Sequence, residues 1–429
     1  MGPAGVLRFI ATALFEFLRH IPACLALRRA YAGARNGRTG DPVVAWVSDN
    51  FDEVNGIALS SRIMLRELRA LGKPVFMYGA AFHSKPPRVE GPDGAVIIAP
   101  GRFSLDQAGY DKSEVAIPDL GHFLDFLRRQ HVDILEFETP GTVPSLCLWT
   151  AMIIGIPTLS HYRTDIPTYA RLLVKNAAGA WFIIQWVKAF TRLAGPVIVP
   201  SRAYRAKVRG LGVPDGRIHH LPRGVDLRSF HPDHARDGAW SRLGLPAEGV
   251  RLLYVGRVSR EKNLELLADA YVRMRAERPD LSLTVVGDGP YLEALKARLA
   301  GVPGARFTGV LHGPDLAGVF ASADLFVFPS LTDTFGNSVV EALASGLPCV
   351  VSDQGGPCEI VVDGECGRVF RHDVPGDLED KVLALARDPG RLRAMRAAAR
   401  ERALHYSYDG AAKAFWDYYL RFHHTHRKD

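Results

Sequence analysis

The 429-residue chain has only five cysteines, Cys24, Cys147, Cys349, Cys358 and Cys366, an odd and scattered set without a CxxC pair. Such spacing implies neither a disulfide framework nor a zinc cluster, and it fits a reducing compartment. Long charge-free apolar runs are also scarce. Arg8, Glu16, Arg19, Arg28 and Arg29 interrupt the apolar N-terminus, so neither a signal-peptide core nor a spanning helix is read there. The longest uncharged run, Thr139 to Tyr162, contains Pro140, Pro144, Gly155 and Pro157 and reads as loop, buried helix and strand. A soluble or peripheral protein is the expectation. With 47% hydrophobic and 23% charged residues, intrinsic disorder and collagen-like structure are excluded, and the length allows two domains with large cores.

The formal charge of +7 has a local address: Met1 to Gly40 carries +5, Thr168 to Gly195 carries +4, and the rest of the chain sums to −2. No nucleic-acid motif accompanies it, so nucleic acid is not an expected partner. Between Val6 and Ile21, Arg8, Thr12, Glu16 and Arg19 fall at helical spacing among apolar residues, predicting an amphipathic helix that ends near Pro22. It either packs on the protein's own body or lies in a membrane interface. The second basic segment holds Trp181, Phe182, Trp186 and Phe190 with Arg171, Lys175, Lys188 and Arg192, and no acid. It reads as a helix pair that completes a core or offers a basic, aromatic surface to anionic lipid.

Beyond a linker at Arg35 to Asp41, apolar strand runs alternate with amphipathic helices. Val43–Val47, Val75–Tyr78, Ala95–Ala99, Ile134–Phe137, Pro157–Ser160 and Pro196–Val199 are the strand candidates of the first half. After a Pro- and Gly-rich stretch at Leu211 to Arg223 the rhythm restarts, with strands at Arg251–Val255, Leu281–Val286, Ala305–Thr308, Leu325–Phe328, Pro348–Val351 and Gly367–Phe370. The pattern predicts an α/β fold of two Rossmann-like, doubly wound parallel-sheet domains facing across a cleft, with the active site at the strands' carboxyl ends. The expected division is a basic N-terminal segment at 1–40, a first domain at 41–205 and a second at 206–405. At 406–429 a helix from about Tyr408 to Phe422 is expected to cross back to the first domain, followed by a disordered tail from His423.

Chemistry concentrates in Phe326 to Gly346, FVFPSLTDTFGNSVVEALASG. A strand ends at Pro329, a loop carries Asp333, Thr334, Phe335, Gly336 and Asn337, and a helix from Ser338 contains Glu341. A loop opening onto a helix N-terminus presents amide N–H groups suited to a phosphate or a sugar hydroxyl. In Tyr254 to Asn263, YVGRVSREKN, a strand end is followed by Arg257 and Lys262, two cations whose spacing suits a diphosphate leaving group. Val285 to Pro290, VVGDGP, reads as a tight structural turn. No D-x-D element presents paired carboxylates to a divalent ion, so a site without a metal or other cofactor is expected.

The stretch Asp333-Thr-Phe335-Gly336-Asn-Ser-Val-Val-Glu341-Ala-Leu-Ala-Ser-Gly346-Leu-Pro348 strongly resembles the signature of retaining, nucleotide-sugar-dependent glycosyltransferases of family 4, which have the GT-B fold. It departs by an Asp in place of the first Glu. The resemblance implies that Glu341 holds the donor ribose, Asp333 the donor sugar, and Arg257 and Lys262 the diphosphate. It makes Thr334, Phe335, Gly336 and Asn337 donor-site residues, and Val310 and Leu311 backbone contacts to the base. Arg223-Gly224-Val225-Asp226 is similar to the family's passage into its second domain. In the first domain, the loop Asp49 to Gly56, with Glu53 and Asn55, resembles the one in which a glycine, here Gly56, lets backbone approach the diphosphate. Glu138-Thr-Pro140-Gly141 and Ser160-His161-Tyr162-Arg163-Thr164-Asp165 match two further family elements, placing His161 beside the transferred sugar and Asp165 and Tyr169 on the acceptor side.

The resulting expectation is a retaining, metal-independent hexosyltransferase. It would use a UDP- or GDP-sugar and a lipid or envelope-glycan acceptor at the cytoplasmic, inner face of the membrane. The same chemistry on a soluble metabolite or glucan is the first alternative, and a non-catalytic sugar or polyanion binder is the second.

Overall fold

The computed structural model describes residues 3–34, 40–49, 51, 56–81, 86–91, 94–106, 114–174, 176–246 and 248–426. Most of the predicted linker, and Glu53 and Asn55 of the first loop, lie outside these, as does Lys175. The chain forms two compact units. Unit 1 comprises Met1–Val199, Arg205–Leu221 and Ala411–Asp429, and unit 2 comprises Pro200–Tyr204 and Pro222–Gly410. Residues 205–221, which the sequence reading left largely in the second domain, thus belong with the first.

Unit 1 is built from strands β1 (Val44–Val47), β2 (Val75–Ala80), β3 (Arg88–Glu90), β4 (Val96–Ala99), β5 (Gly101–Asp106), β6 (Glu114–Pro118), β7 (Ile134–Phe137), β8 (Thr158–His161), β9 (Val197–Val199) and β10 (Ile218–His220). Its helices are α1 (Pro3–Ala34), α2 (Gly56–Ala70), α3 (Leu120–Gln130), α4 (Thr142–Ile154), α5 (Ile166–Leu173) and α6 (Ala177–Leu193). The sheet order is β10-β9-β8-β7-β1-β2-β4-β3, parallel except at β3, with β5 and β6 a separate antiparallel pair. β1, β2, β4 and β7 are buried along their whole length, as parallel strands covered on both faces must be. That continuous apolar character is why the sequence revealed them. β3, β5, β6 and β10 escaped it because they are edge or hairpin strands that lack long apolar runs.

The predicted break at Pro22 is a correction. Helix α1 runs through it to Ala34, and tertiary contacts outweigh the lost hydrogen bond. Cys24 and Leu27 are buried, and Tyr31 donates its hydroxyl to the Leu127 carbonyl at 2.8 Å. Glu16 is buried too, accepting the Leu120 amide at the start of α3 (3.0 Å) and pairing with Arg19 (2.8 Å). The stretch Arg8–Ala32 also has the length and apolarity of a membrane span, which the reading of its charges denied.

The chain leaves unit 1 and returns through α7 (Ala203–Gly210), whose Tyr204 donates its hydroxyl to the Thr332 carbonyl within unit 2 (2.7 Å). Unit 2 contains strands β11 (Val250–Val255), β12 (Leu281–Val286), β13 (Ala305–Gly309), β14 (Leu325–Phe328), β15 (Cys349–Ser352) and β16 (Gly367–Phe370). Its helices are α8 (Ala239–Arg242), α9 (Leu264–Glu277), α10 (Leu292–Arg298), α11 (Gly313–Ser322), α12 (Asn337–Ala344), α13 (Pro357–Ile360), α14 (Asp377–Ala386) and α15 (Pro389–Leu404). The order β13-β12-β11-β14-β15-β16 is that of a doubly wound dinucleotide-binding sheet, whose ligand crevice opens where the order reverses, between β11 and β14. In unit 1 the corresponding reversal falls between β1 and β7.

The lead-in Arg223 to Asp226 pairs with the stretch leaving unit 2: Val225 donates its amide to the Tyr406 carbonyl at 2.7 Å. A Cβ on Gly224 would lie 2.4 Å from the Tyr408 ring. The last helix, α16 (Tyr408–His426), begins in unit 2 and has Ala411 onward in unit 1, and it stays helical through His423, where a disordered tail was predicted.

Candidate active site

In unit 2 the strands flanking the reversal deliver the predicted donor residues. The turn after β11 carries an exposed Arg257, and a single 3-10 turn, Arg260–Lys262, brings Lys262 to the threshold of α9. The loop after β14 carries Asp333. Lys262 Nζ lies 2.8 and 2.9 Å from the two carboxylate oxygens of Asp333, both side chains being largely buried. The predicted diphosphate cation and the predicted sugar-binding acid are therefore one preformed ion pair.

Glycines let these loops touch. A Cβ on Gly287 would lie 2.0 Å from the Gly256 carbonyl oxygen, and one on Gly289 2.3 Å from that of Val258. The VVGDGP turn thus seats the Arg257 turn directly, and the Val258 amide donates to the Asp288 carbonyl at 2.9 Å. The loop Asp333 to Gly336 rests on a second glycine pair that the sequence reading passed over. The Gly356 amide donates to the Asp333 carbonyl at 2.8 Å, and Cβ atoms on Gly355 and Gly356 would meet the carbonyl oxygens of Asp333 and Thr334 at 2.6 and 2.4 Å. The visible signal was the GGP run before Cys358, which lacks any chemistry-bearing side chain.

Gly336 adopts the left-handed conformation (φ 97°) and starts α12 without a side-chain cap. The helix therefore turns its first-turn amides toward whatever the loop holds. Phe335 offers a ligand no ring: it is buried against Tyr406 (5.8 Å between centroids) and beneath the Arg223 guanidinium (5.6 Å), leaving only its backbone available. Thr334 is buried, and Asn337 is half-buried. Glu341 keeps partial exposure, yet burial of its carboxyl pushes its pKa up to about 7. Such a carboxyl both donates and accepts hydrogen bonds near neutral pH. Val310 is exposed after β13, while Leu311 packs partly against the core.

In unit 1 the corresponding strand ends carry a buried polar network. Asp49, after β1, accepts the Val143 amide at 2.9 Å and so caps α4, and Gly141 is obligatory because its Cβ would lie 1.5 Å from the Asp49 carboxylate. Glu138, after β7, is bound by Arg163 (2.6 Å) and the Ser61 hydroxyl (2.7 Å). His161 ends β8 and is buried, with Nδ1 3.2 Å from Glu136 Oε1 and its ring 5.7 Å from that of Phe415 on α16. It lines a pocket shared with Thr139, Tyr162, Thr164 and Phe190. Gly56 opens α2. Asp165 caps α5 and is held by the Thr168 hydroxyl (2.8 Å), Tyr162 (3.1 Å) and Lys207 (2.7 Å), so its carboxylate is engaged in structure. Tyr169 is half-buried on α5. Arg192, counted with the basic surface, donates to the Leu211 carbonyl at 2.9 Å.

Among the described residues, three clusters could hold a metal ion: Glu16 with His20 and Asp119, Glu136 with Glu138 and His161, and Asp353 with His372 and Asp373. None includes Asp333 or Glu341.

Comparison with known proteins agrees with this geometry. The chain matches the family models "Glycosyltransferase Family 4" over residues 54–229 and "Glycosyl transferases group 1" over 249–388. It is 31% identical to the sulfoquinovosyl transferase SQD2 of Arabidopsis thaliana over 84% of this chain and 69% of that protein. It is 26% identical to the alpha-monoglucosyldiacylglycerol synthase of Streptococcus pneumoniae over 78% of this chain and 76% of that protein. In fold it is similar to sucrose-phosphate synthase from Thermosynechococcus elongatus, with TM-score 0.74 at 21% identity, covering 90% of this chain and 100% of the other. Two Rossmann-like units, the paired acid motif running from the loop after β14 into α12, and these matches together show that the chain belongs to the GT-B glycosyltransferases of family 4, retaining hexosyltransferases that use nucleotide sugars.

Proposed function

We propose that the enzyme transfers a hexose from a UDP- or GDP-sugar to a lipid or envelope-glycan acceptor at the cytoplasmic face of a membrane. The observation that carries this reading is the exposed apolar surface of unit 1. Ile10, Leu14, Phe15 and Leu18 on α1 are each more than half exposed, as are Trp181 and Phe182 on α6, and Met152 on α4 is about half exposed. α4 connects them: Trp149 contacts Phe17 of α1 at 5.5 Å and Trp186 of α6 at 6.1 Å. Arg28 and Arg29 are exposed on the same α1. Exposed aromatic and aliphatic side chains beside arginines suit the interface of an anionic bilayer, and Glu16, tied to α3, keeps α1 on the protein surface. The glucosyldiacylglycerol named for the pneumococcal relative supports a lipid acceptor.

In this reading Glu341 binds the donor ribose, Asp333 the sugar, and Arg257 and Lys262 the diphosphate. The amides of the loop Thr334 to Asn337 complete the cradle, with the Val310 and Leu311 backbone at the base; from unit 1, the family resemblance assigns Gly56 to donor binding. His161 lies beside the transferred sugar, with Asp165 and Tyr169 behind it. Arg257, Lys262 and the α12 amides take the charge of the departing diphosphate, so activity should persist in excess chelator.

The test is co-sedimentation with phosphatidylglycerol and phosphatidylcholine vesicles, with hexose transfer to lipid extracts as a second readout. Binding to the anionic vesicles that falls at least tenfold in Phe15→Ser/Trp181→Ser supports the membrane reading. Binding unchanged in that variant, or transfer to soluble acceptors alone, overturns it.

A further inference from the structure

The buried acid behind His161 has a job that the donor and acceptor assignments leave unexplained. Glu136 is wholly buried inside β7. One of its oxygens meets His161 Nδ1 at 3.2 Å, and the other accepts the Tyr419 hydroxyl of α16. Tyr419 in turn accepts the Trp46 indole N–H at 2.9 Å. The hydrogen bonds have one direction throughout: Trp46 donates to Tyr419, and Tyr419 donates to Glu136. Phe415, one helical turn before Tyr419, lays its ring on His161, so two residues on one face of α16 hold the imidazole and its acid partner.

A metal explains this cluster less well. Glu138, the third member, is already bound by Arg163 and Ser61, and the Glu136 oxygens are taken by Tyr419 and the imidazole. A cation would have to displace a guanidinium at 2.6 Å.

We propose that Glu136 and Tyr419 are positioning residues for His161: Glu136 keeps a proton bound on the Nδ1 edge of the ring, Tyr419 fixes Glu136, and Nε2 is thereby the atom at which the imidazole exchanges hydrogen bonds with substrate. The proposal rests on the placement of His161 beside the transferred sugar. Burial and the nearby Glu138 push the Glu136 pKa up, while Tyr419 and Arg163 oppose this. The proposed arrangement is the one in which the proton sits on Nδ1 and the Glu136 carboxylate accepts it.

The experiment uses the full chain with ¹⁵N-labelled histidine, and donor hydrolysis measured with UDP-glucose and GDP-mannose. The wild-type ring should show a protonated Nδ1. In Glu136→Gln, Tyr419 still donates to the side-chain oxygen, which turns the amide NH₂ toward Nδ1. That proton should disappear, and kcat should fall at least tenfold with KM within twofold. Adding Tyr419→Phe lets the amide oxygen face Nδ1 and should return part of both signals. A wild-type Nδ1 without a proton, or Glu136→Gln turning over within twofold of wild type, overturns the proposal. His161→Ala separates the two levels. If it turns over normally, the placement of His161 falls as well; if it is inactive while Glu136→Gln is not, only the positioning role falls.

Discussion

Lys262 and Asp333, 71 residues apart in the chain, form a two-pronged ion pair at 2.8 and 2.9 Å between the strand ends that flank the β11/β14 reversal. The donor loop is therefore neutralised internally before any nucleotide arrives. On the proposed donor assignment, a diphosphate would have to compete with Asp333 for the ammonium, and a sugar hydroxyl with Lys262 for the carboxylate.

This competition makes the two partners separable. Asp333→Asn releases Lys262, so free UDP or GDP should bind at least as tightly as to wild type while hexose transfer falls more than a hundredfold. Lys262→Met should weaken nucleotide binding by roughly tenfold, about 1.4 kcal/mol. Titration calorimetry with the free nucleotide, beside turnover, checks both. Tighter nucleotide binding in Lys262→Met would remove the lysine from the diphosphate site.

Glu341 sets a pH dependence of stability. Its folded pKa of about 7 lies above the ordinary value of 4.5, so the folded state holds an extra proton between those values. The stability this confers is complete below about pH 4.5 and is lost as pH rises through 7. Glu341→Gln lacks the titration, so relative to wild type it should gain on the order of 2 kcal/mol between pH 5 and pH 8. Urea denaturation of both proteins at the two pH values measures the difference; a constant offset would contradict it.

The glycine seat beneath Asp333 predicts a remote effect on turnover. A methyl at Gly356 would sit 2.4 Å from the Thr334 carbonyl and 2.6 Å from the Phe335 Cα, both backbone atoms, so the donor loop must move. Gly356→Ala should cost roughly 2 kcal/mol and lower turnover at least tenfold. Gly216→Ala, whose Cβ meets nothing within 4 Å, should change neither and serves as the control.

Helix α1 is tied to the start of α3 through one buried acid. Glu16→Ala removes the acceptor of the Leu120 amide and the partner of Arg19, leaving a buried donor unsatisfied at a cost of about 2 kcal/mol. The helix should then be clipped by protease several times faster than in wild type while the units themselves stay folded. Equal cleavage rates would show that its apolar contacts suffice.

The sequence by itself determined the parallel strands and the contiguous motifs. Ile134–Phe137, Leu281–Val286 and Leu325–Phe328 coincide with β7, β12 and β14, because a strand buried on both faces is a short continuous apolar run. The loop from Asp333 into α12 was legible for a related reason, since its residues are neighbours in the chain. Tertiary structure alone decided the rest. Lys262 pairs with Asp333 because the strand order brings β11 beside β14, and Glu136 meets Tyr419, 283 residues later, because α16 returns to unit 1. Pro22 stays helical, and Phe335 turns inward, because surrounding contacts outweigh local preference. Periodicity records which residues must be buried; the partner that buries each one is set by strand order and chain return, which no local window contains.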